Sequence, residues 1–96
     1  MLMNAFQVEI FKKLTDLLKP SKHFSNCMVW KSPCETLHLM VYVDNTSAKK
    51  SFAEITETEG EKDTYHDLSL SEHPWKALAE MVSYAPQRIL RKVYSG

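Results

Sequence analysis

The residue types best equipped for chemistry are scarce in this chain: two cysteines and four histidines. Only Cys27, Cys34 and His38 fall near one another, spaced C-x6-C-x3-H. Compact zinc sites set paired ligands about two to four residues apart at a tight knuckle, so this spacing does not read as a metal centre. If Cys27 begins a strand and Cys34 lies in the turn that follows, roughly 17–20 Å of extended chain separates them. That distance forbids a shared metal and a disulfide alike. The remaining chemistry is a thiol nucleophile, with Cys34 in a turn and His38 four residues on, or His23, His66 or His73 brought from elsewhere. Such a pair needs hydrogen-bond reach and a third, orienting group. No G-x-S-x-G, H-x-x-E-H, P-loop or dinucleotide-binding motif is present. The two glycines, Gly60 and Gly96, are too few for a loop that cradles phosphate. The expectation is a chain without cofactor or metal and without enzymatic activity, a Cys/His-dependent small enzyme being one alternative.

The elements that would position these residues follow from periodicity. Residues 4–19 read as an amphipathic helix, with Phe6, Ile10, Leu14, Leu17 and Leu18 at helical spacing, Asn4 as N-cap and Lys19-Pro20 as the stop. Cys27–Lys31 reads as a strand and Ser32-Pro33-Cys34-Glu35 as a turn. Thr36–Asp44 is the clearest strand, with Leu37, Leu39, Val41 and Val43 alternating against His38, Met40 and Tyr42. Asp44-Asn45-Thr46-Ser47 supplies the next turn. Lys50–Glu57 and Thr64–Leu70 read as further strands, with Gly60 between them. Ser71 or His73 caps a final helix that opens at Pro74. Trp75, Leu78, Val82, Ala85, Ile89 and Val93 hold helical phase through Pro86, which predicts one kinked helix or a pair.

The predicted fold is α+β, one domain over residues 1–96. An antiparallel meander of three or four strands stands between an N-terminal helix and a C-terminal kinked helix or helix pair. This order resembles that of the double-stranded-RNA-binding domain in topology alone. That family's Gly-Pro-x-His loop and lysine-rich opening of the last helix have no counterpart here, where the last helix opens Glu72-His73-Pro74-Trp75.

Composition bounds the function. Ninety-six residues with 44% hydrophobic and 25% charged suit a single globular core. Uncharged stretches fall well short of the ~20 residues that span a bilayer. Met1-Leu2-Met3-Asn4 has no basic region ahead of an apolar run, and two cysteines make no secreted disulfide framework. A cytoplasmic location without membrane contact is expected.

Net charge is zero but unevenly laid out. Residues 1–34 carry five lysines against Glu9 and Asp16, which is +3; residues 35–73 carry three against nine acids, which is −6; residues 74–96 carry four cations against Glu80, which is +3. A general nucleic-acid binder needs a surplus of cations to displace phosphate counterions. A small nucleic-acid-binding domain using Arg88, Arg91 and Lys92 is therefore an alternative, and those cations also suit a last helical turn without any ligand.

The favoured reading is a non-enzymatic protein-binding module whose partner is another protein or a second copy of itself. A small regulator or inhibitor, of the type carried by phages and mobile elements, fits the small size and lack of motif. If Leu37, Leu39, Val41, Ala53, Ile55, Leu68 and Leu70 face the helices, then Met40, Tyr42, Phe52 and Tyr65 face away, joined by Val29 or Trp30 according to register. Aromatics and methionine on such a face are what partners cover. The competing arrangement has the C-terminal helix lying on it. Glu57, Glu59, Glu61 and Asp63, clustered about Gly60, are expected as an acidic rim that meets a basic surface or simply faces water.

Overall fold

The structure is a computed structural model, and it describes residues 2–43 and 51–95, without the side chains of Lys62 and residues 64–70. The expected turn at Asp44-Asn45-Thr46-Ser47 lies outside the described residues, as do the side chains of Tyr65, Leu68 and Leu70.

Helix α1 spans Ala5–Leu17. Asn4 caps it in a full capping box: Gln7 N–H donates to Asn4 Oδ1 and Asn4 N–H donates to Gln7 Oε1, both at 2.8 Å. Lys19-Pro20 does more than stop the helix. It forms a two-residue strand, β1 (Lys19–Pro20), beside β2 (Cys27–Lys31). Then come β3 (Leu37–Val43), β4 (Ser51–Glu59) and β5 (Lys62–Ser71), all antiparallel in the order β1-β2-β3-β4-β5. The meander thus has four strands, the larger of the three or four expected, plus a short edge. Gly60 turns the β4–β5 hairpin at φ +64°. A Cβ there would meet nothing within 4 Å, so the glycine serves the backbone angle alone.

The C-terminal segment is the helix pair, α2 (Pro74–Tyr84) and α3 (Gln87–Ser95), divided at Pro86. Pro86 has no N–H to bond back into α2, while its carbonyl accepts from Ile89 and Leu90 to start α3. His73 holds the N-cap position of α2 but makes no side-chain capping bond.

One core joins the three helices to one face of the sheet. Leu37, Leu39, Val41, Ala53 and Ile55 from the strands meet Ile10, Leu14, Leu78, Met81, Val82, Ile89, Leu90 and Val93 from the helices, all at most 2% exposed. Cross-strand partners share a face, so the pairing of Met28 with Val41 and of Trp30 with Leu39 sends both inward, where they pack against this core. Trp75, expected in the buried phase of α2, is instead 45% exposed, and the buried residues of that helix begin at Ala77.

The register of β5 differs from the expected one. Leu70 stands opposite Phe52, Leu68 opposite Glu54 and Ser69 opposite Ala53. An irregularity between Ile55 and Thr56 then skips His66 and sets Tyr65 opposite Thr56. A bulge adds one residue and so inverts the alternation on one side of it. Leu68, Leu70 and Tyr65 therefore occupy register positions in the row of Phe52, Glu54 and Thr56. The alternation read from sequence put only Tyr65 there.

Candidate functional site: the open face of the sheet

Every second residue of β3 and β4 points away from the helices. Met40, Tyr42, Phe52 and Glu54 are half-buried by one another and by no helix. Tyr42 and Phe52 are direct cross-strand partners, and their rings lie 5.1 Å apart at 37°. That is within the range where aromatic pairs attract, so each ring stiffens the other. On β2, Val29 pairs with Met40 and Cys27 with Tyr42, which extends the apolar row toward β1. The row of Met40, Tyr42 and Phe52 is thus brought together as the sequence suggested. The C-terminal helices lie on the opposite side.

The end of the face at Met40 is a trough of about 840 Å³, which Tyr42 and Phe52 do not line. Val29 and Met40 lie on its floor. The segment Lys19–Phe24 borders it on the β1 side, and Thr58 and Asp63 border it on the β4–β5 side. Its two flanks differ in charge. Lys19, Lys22 and Lys31 stand on one, Glu54 and Asp63 on the other, and all but Glu54 are exposed. Phe24, 59% exposed, sits on the basic rim. The basic flank was missed because Lys19-Pro20 read as a helix stop. The signal that could have found it is the alternation of Lys31 with Val29, opposite His38 and Met40.

The acidic rim needs one correction. Glu59, Glu61 and Asp63 are exposed, and Asp63 accepts a 2.7 Å hydrogen bond from the Thr58 hydroxyl. Glu57 is not on the rim. It is 3% exposed and faces the helices, in the alternation begun by Ala53 and Ile55. Its carboxylate receives both Nη atoms of Arg88 at 3.0 and 3.1 Å and also the ammonium of Lys92. The hydrogen bonds to Glu57, and after them its negative charge, raise the pKa of Arg88. An acidic turn and a basic helix that looked separate thus share an ion cluster, which ties β4 to α3. Arg88 and Lys92 are to that extent engaged internally, and Arg91 is exposed.

The thiols stand apart from the trough. Cys27 and Cys34 are both free. Burial pushes the Cys27 thiol up, whereas Cys34 is exposed and held at about 7, below its ordinary value. The main cause is the Thr36 hydroxyl, 3.1 Å from Sγ, with further bonds from the Thr36 backbone and from the Ser32 hydroxyl at 3.7 Å. The turn that presents Cys34 is closed by Glu35 N–H donating to the Ser32 carbonyl, with Glu35 at φ 58°. The imidazole of His38 bonds the Glu35 carbonyl and not the thiol. A shallow cleft beside Cys34 includes Arg91 and Lys92. Among the described residues no group of three or more His, Cys, Asp or Glu could hold a metal, and no helix is long and apolar enough to cross a membrane.

Set against models of protein families, curated proteins and solved structures, the chain matches none of them.

Proposed function

We propose that this chain is a non-enzymatic protein-binding module, of the kind that regulates or inhibits by covering a surface of its partner. The observation that carries the reading is the half-buried row of Val29, Met40, Tyr42 and Phe52, which no described helix covers while all three helices pack on the other face. Three helices are enough to cover both sides of a small sheet, so an apolar row left without one calls for a different cover. The tilted Tyr42–Phe52 pair is already in contact and loses little freedom when covered, which favours binding. The exposed carboxylates at the Gly60 turn and the lysines beyond Val29 would steer the approach of a charged partner. The test is affinity capture from extracts of the source cells with wild-type and Tyr42→Glu baits. The partner should be lost with the variant while its thermal midpoint stays within about 2 °C of wild type. Equal capture by both baits would remove the face from the function.

A thiol-dependent activity is the second reading, supported by the exposed Cys34 with its pKa of about 7. Against it, the bonds that lower this pKa come from hydroxyls and backbone, which stabilise a thiolate but cannot shuttle a proton as an imidazole does. A nucleic-acid reading draws on the basic residues of α3, and there Glu57 already engages Arg88 and Lys92.

A further inference from the structure

We infer that the occupant of the open sheet face is a second copy of this chain, related by a two-fold axis that runs parallel to β3. The inference rests on reading that face as a contact surface, and it adds the partner and the geometry.

The argument is one of charge and symmetry. Strand order places β2 and β4 on either side of β3, with β1 beyond β2 and β5 beyond β4. Among the described outward side chains the cations, Lys19 and Lys31, are on β1 and β2, the carboxylates, Glu54 and Asp63, are on β4 and β5, and Met40 and Tyr42 on β3 lie between them, with Val29 and Phe52 beside these on β2 and β4. Two such faces can be pressed together about two simple in-plane axes. An axis perpendicular to the strands lays β2 over β2 and β4 over β4, so lysines meet lysines and carboxylates meet carboxylates. An axis parallel to β3 lays β2 of one copy over β4 of the other, twice over by symmetry. Only this second arrangement lays the lysine-bearing strands of one copy over the carboxylate-bearing strands of the other, on both flanks, while Met40 and Tyr42 meet at the centre.

The register fixes which charges meet. Lys31 is level with His38, and Glu54 is level with Met40. Over the axis parallel to β3 the two lie two residues apart along the strand, about 6.6 Å, which a lysine side chain spans.

Area sets the strength. Five strands at about 4.8 Å spacing and about seven residues in length present roughly 500 Å² on one face. Two faces bury on the order of 1,000 Å², the lower bound for a specific interface and well short of an obligate one. The dimer is therefore expected to be a reversible one.

The experiment is sedimentation velocity on the full chain across about 1 µM to 1 mM, with Lys31→Glu, Glu54→Lys and Tyr42→Glu variants. Wild type should pass from monomer to dimer. Each variant alone should be shifted at least tenfold toward monomer with an unchanged melting curve. An equimolar mixture of Lys31→Glu and Glu54→Lys should regain a dimer holding one copy of each, because reversing one sign in each copy restores both pairs. A wild-type monomer throughout the range overturns the dimer, as does a mixture that stays monomeric. If monomeric wild type still captures a host protein that the Tyr42→Glu bait loses, the face remains a contact surface and only its occupant is wrong. A wild-type dimer unaffected by Tyr42→Glu overturns both the inference and the reading on which it rests.

Discussion

The two faces of the sheet are built by alternate residues of the same strands, and they differ in what covers them. Leu37, Leu39, Val41, Ala53 and Ile55 are at most 2% exposed beneath three helices. Met40, Tyr42 and Phe52, each one position away, are half-buried on the side that no described helix covers. Hydrophobicity alone does not separate the two rows, since both would leave water readily. The difference lies in the polar residues interleaved with them. The inner row admits one charge, Glu57, and matches it with Arg88 and Lys92. The outer row carries His38, Glu54, Thr56 and Thr58 among its apolar members, a mixture that tolerates both water and a partner.

The sharpest way to break this comparison is to truncate neighbouring residues of β3. Leu39→Ala removes a side chain that is 1% exposed, and it should cost about 2–5 kcal/mol in urea unfolding. Met40→Ala, one residue on, should cost about 1 kcal/mol in dilute solution, because water already reaches that side chain. Equal losses would mean that the outer face is covered as thoroughly as the inner one. A Met40 loss that grows with protein concentration would trace the cover to self-association.

The charge inside the inner row gives the next largest effect. Replacing Arg88 and Lys92 together by methionine leaves Glu57 buried without its cations, and stability should fall by about 3 kcal/mol. The value sits at the low end for a broken buried pair because Arg88 and Lys92 are themselves 57% and 42% exposed, so water can reach the gap. Adding Glu57→Met should return most of the loss, since an apolar trio needs no desolvated charge. If the triple variant is as unstable as the double, the cluster holds α3 to β4 by geometry and not by charge. That outcome would make the inner face depend on its one polar tie.

Both faces of β3 were legible in the sequence because strict alternation leaves no choice of side once one row is assigned to the core. The same logic, followed two residues past Ile55, assigns Glu57 to the core, and local charge density drew it to the rim instead. The sequence places Glu57 31 residues before Arg88, and no local pattern joins residues so far apart. β5 was less legible for a different reason. The irregularity between Ile55 and Thr56 inverts the pattern, and Tyr65-His66-Asp67 carries no glycine or proline to announce it. The strand at Lys19-Pro20 is two residues long, below the length at which alternation carries a signal. The division of the last helix was legible as a choice, since Pro86 breaks a bond ladder but leaves the apolar phase of Ala85, Ile89 and Val93 intact.

The smallest effect should come from a site on neither face, the Cys34 turn. Its thiol is held at about 7 against an ordinary 9.0, so at pH 7 about half is thiolate, where an unperturbed thiol would have about 1%. The fifty-fold gain in thiolate is partly offset, because a less basic sulfur is a weaker nucleophile by about eightfold over two pH units, so alkylation by iodoacetamide should run about sixfold faster. The rate should rise with pH to a midpoint near 7, and Thr36→Val should move that midpoint upward by removing the leading hydrogen bond. A midpoint near 9 in the wild-type chain would show that the hydroxyls do not hold the thiolate. The linked change in stability has a definite sign. The folded chain binds fewer protons at Cys34 than the unfolded chain between pH 7 and 9, so this contribution is lost as pH falls through 7 and is complete above 9. Capping Cys34 with a small amide should leave the monomer–dimer equilibrium where it was. A capped chain that no longer self-associates would bring the β2–β3 turn into the interface and move the two-fold axis away from β3.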